Sequence, residues 1–462
     1  VVRVIPIDTP SLGDRSYLVH DGDVGFVVDP QRDIDRVLAL AEAERVTIRS
    51  VFETHVHNDY VTGGYALAAR TGADYYVNGD DPVTFTRVPV ADGDVIQAAG
   101  HLRVRAVATP GHTYTHLSYA LDDDGDVAGV FTGGSLLFGA VGRPDLLGVA
   151  DTVPLARCQH ASANRLASLL ADTTVVYPTH GFGSFCASGG GAERTSSTIG
   201  MERHRNPALR QGEPEFVDEL LAGLDAWPAY YAHMGERNRS GPAAPDLSPP
   251  RRADAEELRK RLHAGEWIVD LRHRVAFAEG HVAGTLNFGM DGGFGTYLGW
   301  LIPWGTPLTL LGDGPDEVAQ AQRELARIGI DRPAAHATGP AERWAGGRQL
   351  ERFRLATFAD LAALIGRPLG PERPRAGGMD ADVVVLDVRR DLERADRHIP
   401  GSVHIPLHEL PGRRSEVPGG EIWVHCGAGY RASIAASLLA AGGRRVVAID
   451  DDFDNAADAG LL

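Results

Sequence analysis

The C-terminal part of the chain repeats itself. Val269-Asp270-Leu271-Arg272 is followed by Gly280-His281-Val282-Ala283-Gly284, and Leu386-Asp387-Val388-Arg389 by Arg397-His398-Ile399-Pro400-Gly401. The Asp-to-His separation is eleven residues in both copies, and the His-to-Gly separation is three. Each copy then supplies an apolar strand and a loop. Leu308 to Leu311 leads to Gly312-Asp313-Gly314, and Ile422 to His425 leads to Cys426-Gly427-Ala428-Gly429. The helices that follow end alike, Leu325 and Gly329 matching Leu439 and Gly443. Self-similarity at a fixed period confines a sequence to one supersecondary unit used twice. Two α/β domains of one fold are expected over 252–350 and 351–462, behind a Pro-, Ser- and Arg-rich linker at 236–251 and a separate domain at 1–235.

The copies differ where chemistry would sit. His425-Cys426-Gly427-Ala428-Gly429-Tyr430-Arg431 places a cysteine between a buried strand and a helix start. Oriented backbone N–H groups and the helix dipole favour negative charge at such a sulfur. The cradle Gly427, Ala428, Gly429 and Tyr430 lets successive amides point inward, and Arg431 closes it with positive charge. A thiolate, a persulfide or a small oxyanion suits this cradle. In the first copy the cysteine position falls on Gly312 and the arginine position on Glu317, so that copy carries no nucleophile.

The first 235 residues alternate β-type runs with turns and helices. Val24 to Val28 reads as a strand, Ile34 to Glu44 as an amphipathic helix, and Leu102 to Val107 as an alternating strand. Three times a strand and a turn are followed by histidine. Ser50-Val51-Phe52 leads to Thr54-His55-Val56-His57-Asn58-Asp59, Val104–Ala108 to Gly111-His112, and Thr174–Tyr177 to Thr179-His180. Two histidines at i and i+2 with an acid at i+4 can meet one ion from a single tight loop. His55, His57, Asp59, His112 and His180 are the candidate ligands, with either a bound ion or a metal-free site left open. Cys186 follows His180 by six residues and reads as a small buried hydrophobe, and Cys158 falls in a helix.

Bulk properties narrow the function classes. A chain of 462 residues suits about three domains. A net charge of −17 disfavours nucleic acid and anionic membranes. Three cysteines do not make a disulfide scaffold, and with no apolar leader or long apolar run a reducing cytoplasm is the expected compartment. Lys260 is the only lysine beside abundant arginine, a skew that fits a GC-rich genome.

The N-terminal residues Thr54–Asp59, Gly111-His112, Thr132-Gly133 and His180 resemble the metallo-β-lactamase fold, an αββα sandwich. Phe131-Thr132-Gly133-Gly134-Ser135 and Gly142-Arg143-Pro144-Asp145 resemble its persulfide dioxygenase and glyoxalase II branch. The repeat and the six-residue Cys426–Arg431 loop resemble the rhodanese fold of sulfurtransferases. Together they resemble bacterial persulfide dioxygenase–sulfurtransferase fusions. That resemblance implies one Fe(II) held by His55, His112 and an acid after Thr132-Gly133, a place where this chain has Gly134. A second departure is Tyr60, where dinuclear hydrolases of the fold carry histidine.

Three functions follow from the resemblance. One is oxidation of a low-molecular-weight thiol persulfide to sulfite, coupled to sulfane-sulfur transfer through a Cys426 persulfide, with thiosulfate as a further product or donor. The second is a zinc thioester hydrolase of glyoxalase II type. The third is a sulfur carrier with a metal-free N-terminal domain. Arg143 is implied as the residue that binds the thiol's carboxylates, and a homodimer is a common assembly in such proteins. Glutathione, coenzyme A and mycothiol all remain open as the thiol.

Overall fold

The computed structural model describes residues 2–123, 125–188, 195–366 and 383–462. Two compact units emerge, one of Val1–Asp246 with Leu325–Asp331, the other of Leu247–Glu324 with Arg332–Leu462. The expected linker begins inside the helix Tyr231–Arg239, and residues 241–251 run without helix or strand.

The first unit is a four-layer αββα sandwich. One six-stranded sheet runs in chain order from Arg3–Thr9 to Val88–Val90, and the other runs from Val95–Ala99 through Leu102–Ala108, Leu117–Asp123, Asp126–Gly133 and Val175–Pro178 to Ser197–Thr198. Their inner faces share one core of Tyr17, Phe26, Phe52, Leu102, Tyr119 and Phe131. The helices Ile34–Glu44 and Gly64–Thr71 cover the outside of the first sheet through Ile34, Val37, Ala41 and Leu67. Val149–Leu169 and Glu213–Ala222 cover the second through Ala163, Leu166, Phe216 and Leu220. Each helix buries one apolar stripe, as an amphipathic helix on a sheet must. Within this unit the segment Leu325–Asp331 is tied by the Arg327 guanidinium on Asp33 at 2.7 Å and by the Val61 N–H on the Arg327 carbonyl at 2.7 Å.

The second unit holds two parallel sheets with the order expected of a repeat. Leu286–Asn287, Trp267–Asp270, Leu308–Gly312 and Ala335–Thr338 form one. The other is Arg354–Ala356, Val446–Ile449, Glu421–His425, Val383–Asp387 and Val403–His404. The repeated residues make repeated contacts. Arg272 pairs with Asp270 and donates to the Gly280 carbonyl at 2.9 Å, while Arg389 pairs with Asp387 and donates to the Arg397 carbonyl at 2.7 Å. His281 Nδ1 meets the Phe277 carbonyl and His398 Nδ1 the Arg394 carbonyl, each four residues back. The shared spacing therefore encodes one buried ion-paired brace, built twice. Among the described residues no helix is long and apolar enough to cross a membrane.

Candidate metal centre and sulfur-transfer loop

Strand ends from both sheets of the first unit converge on one buried cluster. Thr47–Phe52 delivers His55, Leu102–Ala108 delivers His112, Val175–Pro178 delivers His180, and Asp126–Gly133 ends beside them at Gly134. His55, His57, His112 and His180 are buried, as is Asp59. Ligand atoms of His55, His112 and His180 lie within 4.8 Å of one another, as do those of His57, Asp59 and His180. The five expected ligands are thus brought together.

Hydrogen-bond partners assign the proton on each ring, because a carboxylate or carbonyl oxygen only accepts. His112 Nδ1 faces the Arg143 carbonyl at 2.8 Å, so Nδ1 donates and Nε2 keeps its lone pair. His180 Nδ1 lies 2.9 Å from Asp14 Oδ1 and 3.1 Å from Asp59 Oδ2, so a neutral His180 carries its proton on Nδ1. The Thr54 hydroxyl donates to Asp29 Oδ2 and must accept from His55 Nδ1 at 2.9 Å, which frees His55 Nε2. The Tyr60 hydroxyl donates to the Asp29 carbonyl and accepts from His57 Nε2 at 3.0 Å, which frees His57 Nδ1. His57 Nδ1 and His112 Nε2 have no hydrogen-bond partner although buried.

As neutral rings, His55, His112 and His180 each leave Nε2 bare and His57 leaves Nδ1 bare. His55 Nε2 and His180 Nε2 are 3.4 Å apart. Two nitrogens sharing a tetrahedral ion at ~2.05 Å would be separated by about the same distance. The residues present fit an ion with nitrogen ligands. Without an ion the charge balance falls to protons. Burial pushes His55 and His112 down, the latter to about 3. Burial also opposes protonation of His57 and His180, but Asp29 and Glu53 raise His57 to about 9, and Asp59 and Asp14 hold His180 well above its usual value.

Position 134 explains the absent acid. A Cβ there would overlap His112 Cδ2, so no side chain fits while His112 keeps this orientation. The Gly134 N–H instead donates to His116 Nε2 at 3.0 Å, and His116 Nδ1 meets Thr109 Oγ1. That bond uses the His116 lone pair, so His116 props the site without being a ligand. His116, Asp14, Asp29 and Glu53 escaped the sequence reading. Asp29 directly follows the strand Val24–Val28 and Glu53 directly follows Thr47–Phe52, a strand-end position shared with the ligands. Arg143 is buried, with both guanidinium faces engaged by Asp145 at 2.7 and 2.8 Å and by the Asp225 carbonyl at 2.6 Å. Binding a substrate carboxylate would require it to exchange these partners. Cys186 is fully buried, and Cys158 is half-buried in its helix.

In the second unit Cys426 ends the strand Glu421–His425 and precedes the helix Tyr430–Ala441. Gly429 caps that helix at φ 87°, the left-handed region where glycine carries no Cβ penalty. The loop is pinned by the Phe453 N–H on the Gly427 carbonyl at 2.9 Å. Arg431 closes it but is itself held, both terminal nitrogens 2.6 Å from Glu393. Arg431 also lines a small cleft with Leu407 and His408, walled by Tyr297, Trp300 and Leu301 of the first copy. The Trp300 ring stacks on His408 at 4.9 Å. Residues of the first copy therefore help to shape the cleft of the second.

Comparison with known proteins agrees with both halves. Residues 375–459 match the rhodanese-like domain. A solved metallo-beta-lactamase from Staphylococcus aureus subsp. aureus COL is similar at 28% identity and TM-score 0.65, over 73% of this chain and 99% of that one. The chain joins a metallo-β-lactamase fold to a rhodanese-like domain. Among curated relatives, a hydroxyacylglutathione hydrolase of Dechloromonas aromatica (strain RCB) is 33% identical over 36% of this chain and 56% of its own. One of Rhodopseudomonas palustris (strain BisA53) is 38% identical over 28% of this chain and 49% of its own. The metallo-β-lactamase/rhodanese chain thus spans about half the length of these curated relatives.

Proposed function

We propose that this chain is a sulfur-metabolism enzyme that moves sulfane sulfur on Cys426 and processes a thiol-bound substrate at its N-terminal histidine site. The observation that carries the proposal is the Cys426–Arg431 loop, a cysteine at a strand end under a glycine-capped helix, beside a cleft. The Cys426 sulfur attacks the outer sulfur of a thiol persulfide or thiosulfate. A new S–S bond forms, the donor's S–S bond breaks, and thiol or sulfite departs with the electron pair. A nucleophile such as cyanide or sulfite then takes the outer sulfur and returns Cys426. Thiosulfate:cyanide transfer by the full chain tests this. Cys426→Ser should fall to background, and full activity in that variant would refute the proposal.

At the N-terminal site the companion reaction is oxidation of a low-molecular-weight thiol persulfide to thiol and sulfite, with O₂ and water consumed. The sulfite would accept the sulfur held on Cys426, which gives joined domains a common product, thiosulfate. A bound ion would supply Lewis acidity, or O₂ activation if it is iron. The chain's own residues bury the site and hold each imidazole by its outer nitrogen. A second reading, thioester hydrolysis, is favoured by the donor set. Histidines without a carboxylate at 134 suit Zn²⁺, whereas iron oxygenation draws on two histidines and an acid. The names of the curated relatives point the same way. O₂ uptake by iron-loaded protein with a thiol persulfide, above a His55→Ala control, supports oxidation. Thioester cleavage by zinc-loaded protein with no O₂ uptake supports hydrolysis.

A further inference from the structure

The helix Phe294–Leu301 of the first copy is buried along its length except at Tyr297. Phe294, Leu298 and Leu301 recur at helical spacing as its apolar stripe, and Tyr297 stands at the edge of that stripe. From there it lines the cleft beside the Cys426 loop, together with Trp300, Arg390, His408 and Arg431. Tyr430 of the loop docks on the segment just before this helix. Its hydroxyl donates to the Gly289 carbonyl at 2.8 Å, and its ring fills the space that a Cβ on Gly292 would need. The Tyr297 ring lies 5.8 Å from the Tyr430 ring. Unlike Tyr430, Tyr297 makes no hydrogen bond through its hydroxyl among the described residues. Burial pushes its phenol up against the pull of Arg431 and Arg390, so the hydroxyl keeps its proton and can donate it.

The cleft lining carries two arginines and no acid. Glu393 grips both guanidinium groups, Arg431 through two contacts of 2.6 Å and Arg390 through Nε at 3.1 Å, but it does not line the cleft. Arg431 Nη2 lies 3.2 Å from the place of a Cβ on Gly427, directly beside the cysteine. Guanidinium groups with a phenol donor suit an oxyanion. We propose that Tyr297 is a catalytic residue which the first copy supplies to the Cys426 site, its hydroxyl donating to an oxygen of a small sulfur oxyanion, thiosulfate arriving or sulfite leaving, held by Arg390 and Arg431. This role rests on the sulfur-transfer reading of Cys426 and narrows its donor to an oxyanion. In the loading step the Cys426 sulfur attacks the outer sulfur of thiosulfate. One S–S bond forms as the donor's breaks, and sulfite departs with the electron pair. The Tyr297 hydrogen bond bears on the oxygens of that departing group and not on the sulfur left behind.

The test separates the two halves of turnover. Thiosulfate:dithiothreitol transfer by the full chain gives one kcat/KM for the donor and one for the acceptor. Tyr297→Phe keeps the ring that packs on Tyr430 and removes only the hydroxyl. It should lower kcat/KM for thiosulfate roughly tenfold, as loss of a hydrogen bond to a charged group does. It should leave kcat/KM for dithiothreitol, a thiol with no sulfur-bound oxygen, at the parental value, and the melting temperature close to the parent's. Equal losses for both substrates would mean that Tyr297 only supports the fold and would overturn the proposal. A turnover-free measurement uses sulfite and calorimetry in a Cys426→Ser background. Sulfite should bind, and adding Tyr297→Phe should weaken it roughly tenfold. Equal binding with and without the hydroxyl, or no binding at all, would overturn the oxyanion seat. Sulfite binding that depends on Tyr297 in a chain whose parent transfers no sulfur would support the seat and sink the sulfur-transfer reading alone.

Discussion

His425 shows how much one residue beside Cys426 can weigh on the stability of its unit. It is buried at the end of the strand Glu421–His425 and stacks on Phe453 at 5.4 Å. Burial pushes its imidazole down to about 4, only partly opposed by Asp387. In the folded unit the ring is therefore neutral at pH 7, and it stays neutral until the pH nears 4. The unfolded chain binds a proton near pH 6.5. Stability is unaffected above that value, is lost as pH falls from 6.5 towards 4, and changes no further below. The full loss is roughly 3 kcal/mol at about 1.4 kcal/mol per unit. Urea unfolding of the parent and of His425→Gln at pH 7 and pH 4.5 should show the parent losing more stability by about 2 kcal/mol. Equal losses would mean that His425 takes up protons alike in both states.

At the scale of elements, the sulfur-transfer loop depends on how one helix begins. Gly429 holds φ 87°, and a Cβ there would overlap Asp450 Oδ1, which Arg274 fixes at 2.6 Å. Gly427 is more forgiving, since its added Cβ would lie 3.2 Å from Arg431 Nη2 and 3.8 Å from Glu393 Oε1, with no backbone atom in the way. Gly429→Ala should cost about 2–3 kcal/mol and most of the sulfurtransfer rate. Gly427→Ala should cost under about 1 kcal/mol. Chemical denaturation with parallel kcat/KM measurement checks the order of the two, and a reversed order would contradict this account of the loop. Elements of this kind were legible beforehand. The helix Ile34–Glu44 has the bounds that its apolar spacing predicts, and the strand-turn-His units stand where their composition puts them. What was not legible is convergence. Asp14 meets His180 across 166 residues, and no spacing rule relates them. Glu393, 38 residues before Arg431, quenches a charge that the loop alone suggested would be open. Such contacts exist only once sheets and loops have packed.

At the scale of the whole molecule, the two copies share a brace and differ at the loop. Both copies keep the Asp–Arg brace, yet the first has Gly312 where Cys426 stands and Glu317 where Arg431 stands. Glu317 accepts from the Asp313 N–H at 2.7 Å, and a Cβ on Gly312 would lie 2.6 Å from its carboxylate. A cysteine there would face an anion. Gly312→Cys placed in a Cys426→Ser background should therefore leave thiosulfate:cyanide transfer at background. Recovered turnover would show that the first copy needs only a sulfur. The three cysteines have a further use. Cys158 is half-buried and Cys186 fully buried in the first unit, while Cys426 is buried in the second. A thiol-alkylating pulse read by mass spectrometry would mark Cys158 at once, Cys426 as fast as its loop admits the reagent, and Cys186 only when the first unit opens. The chain carries its own clock for the opening of that unit, with no label added.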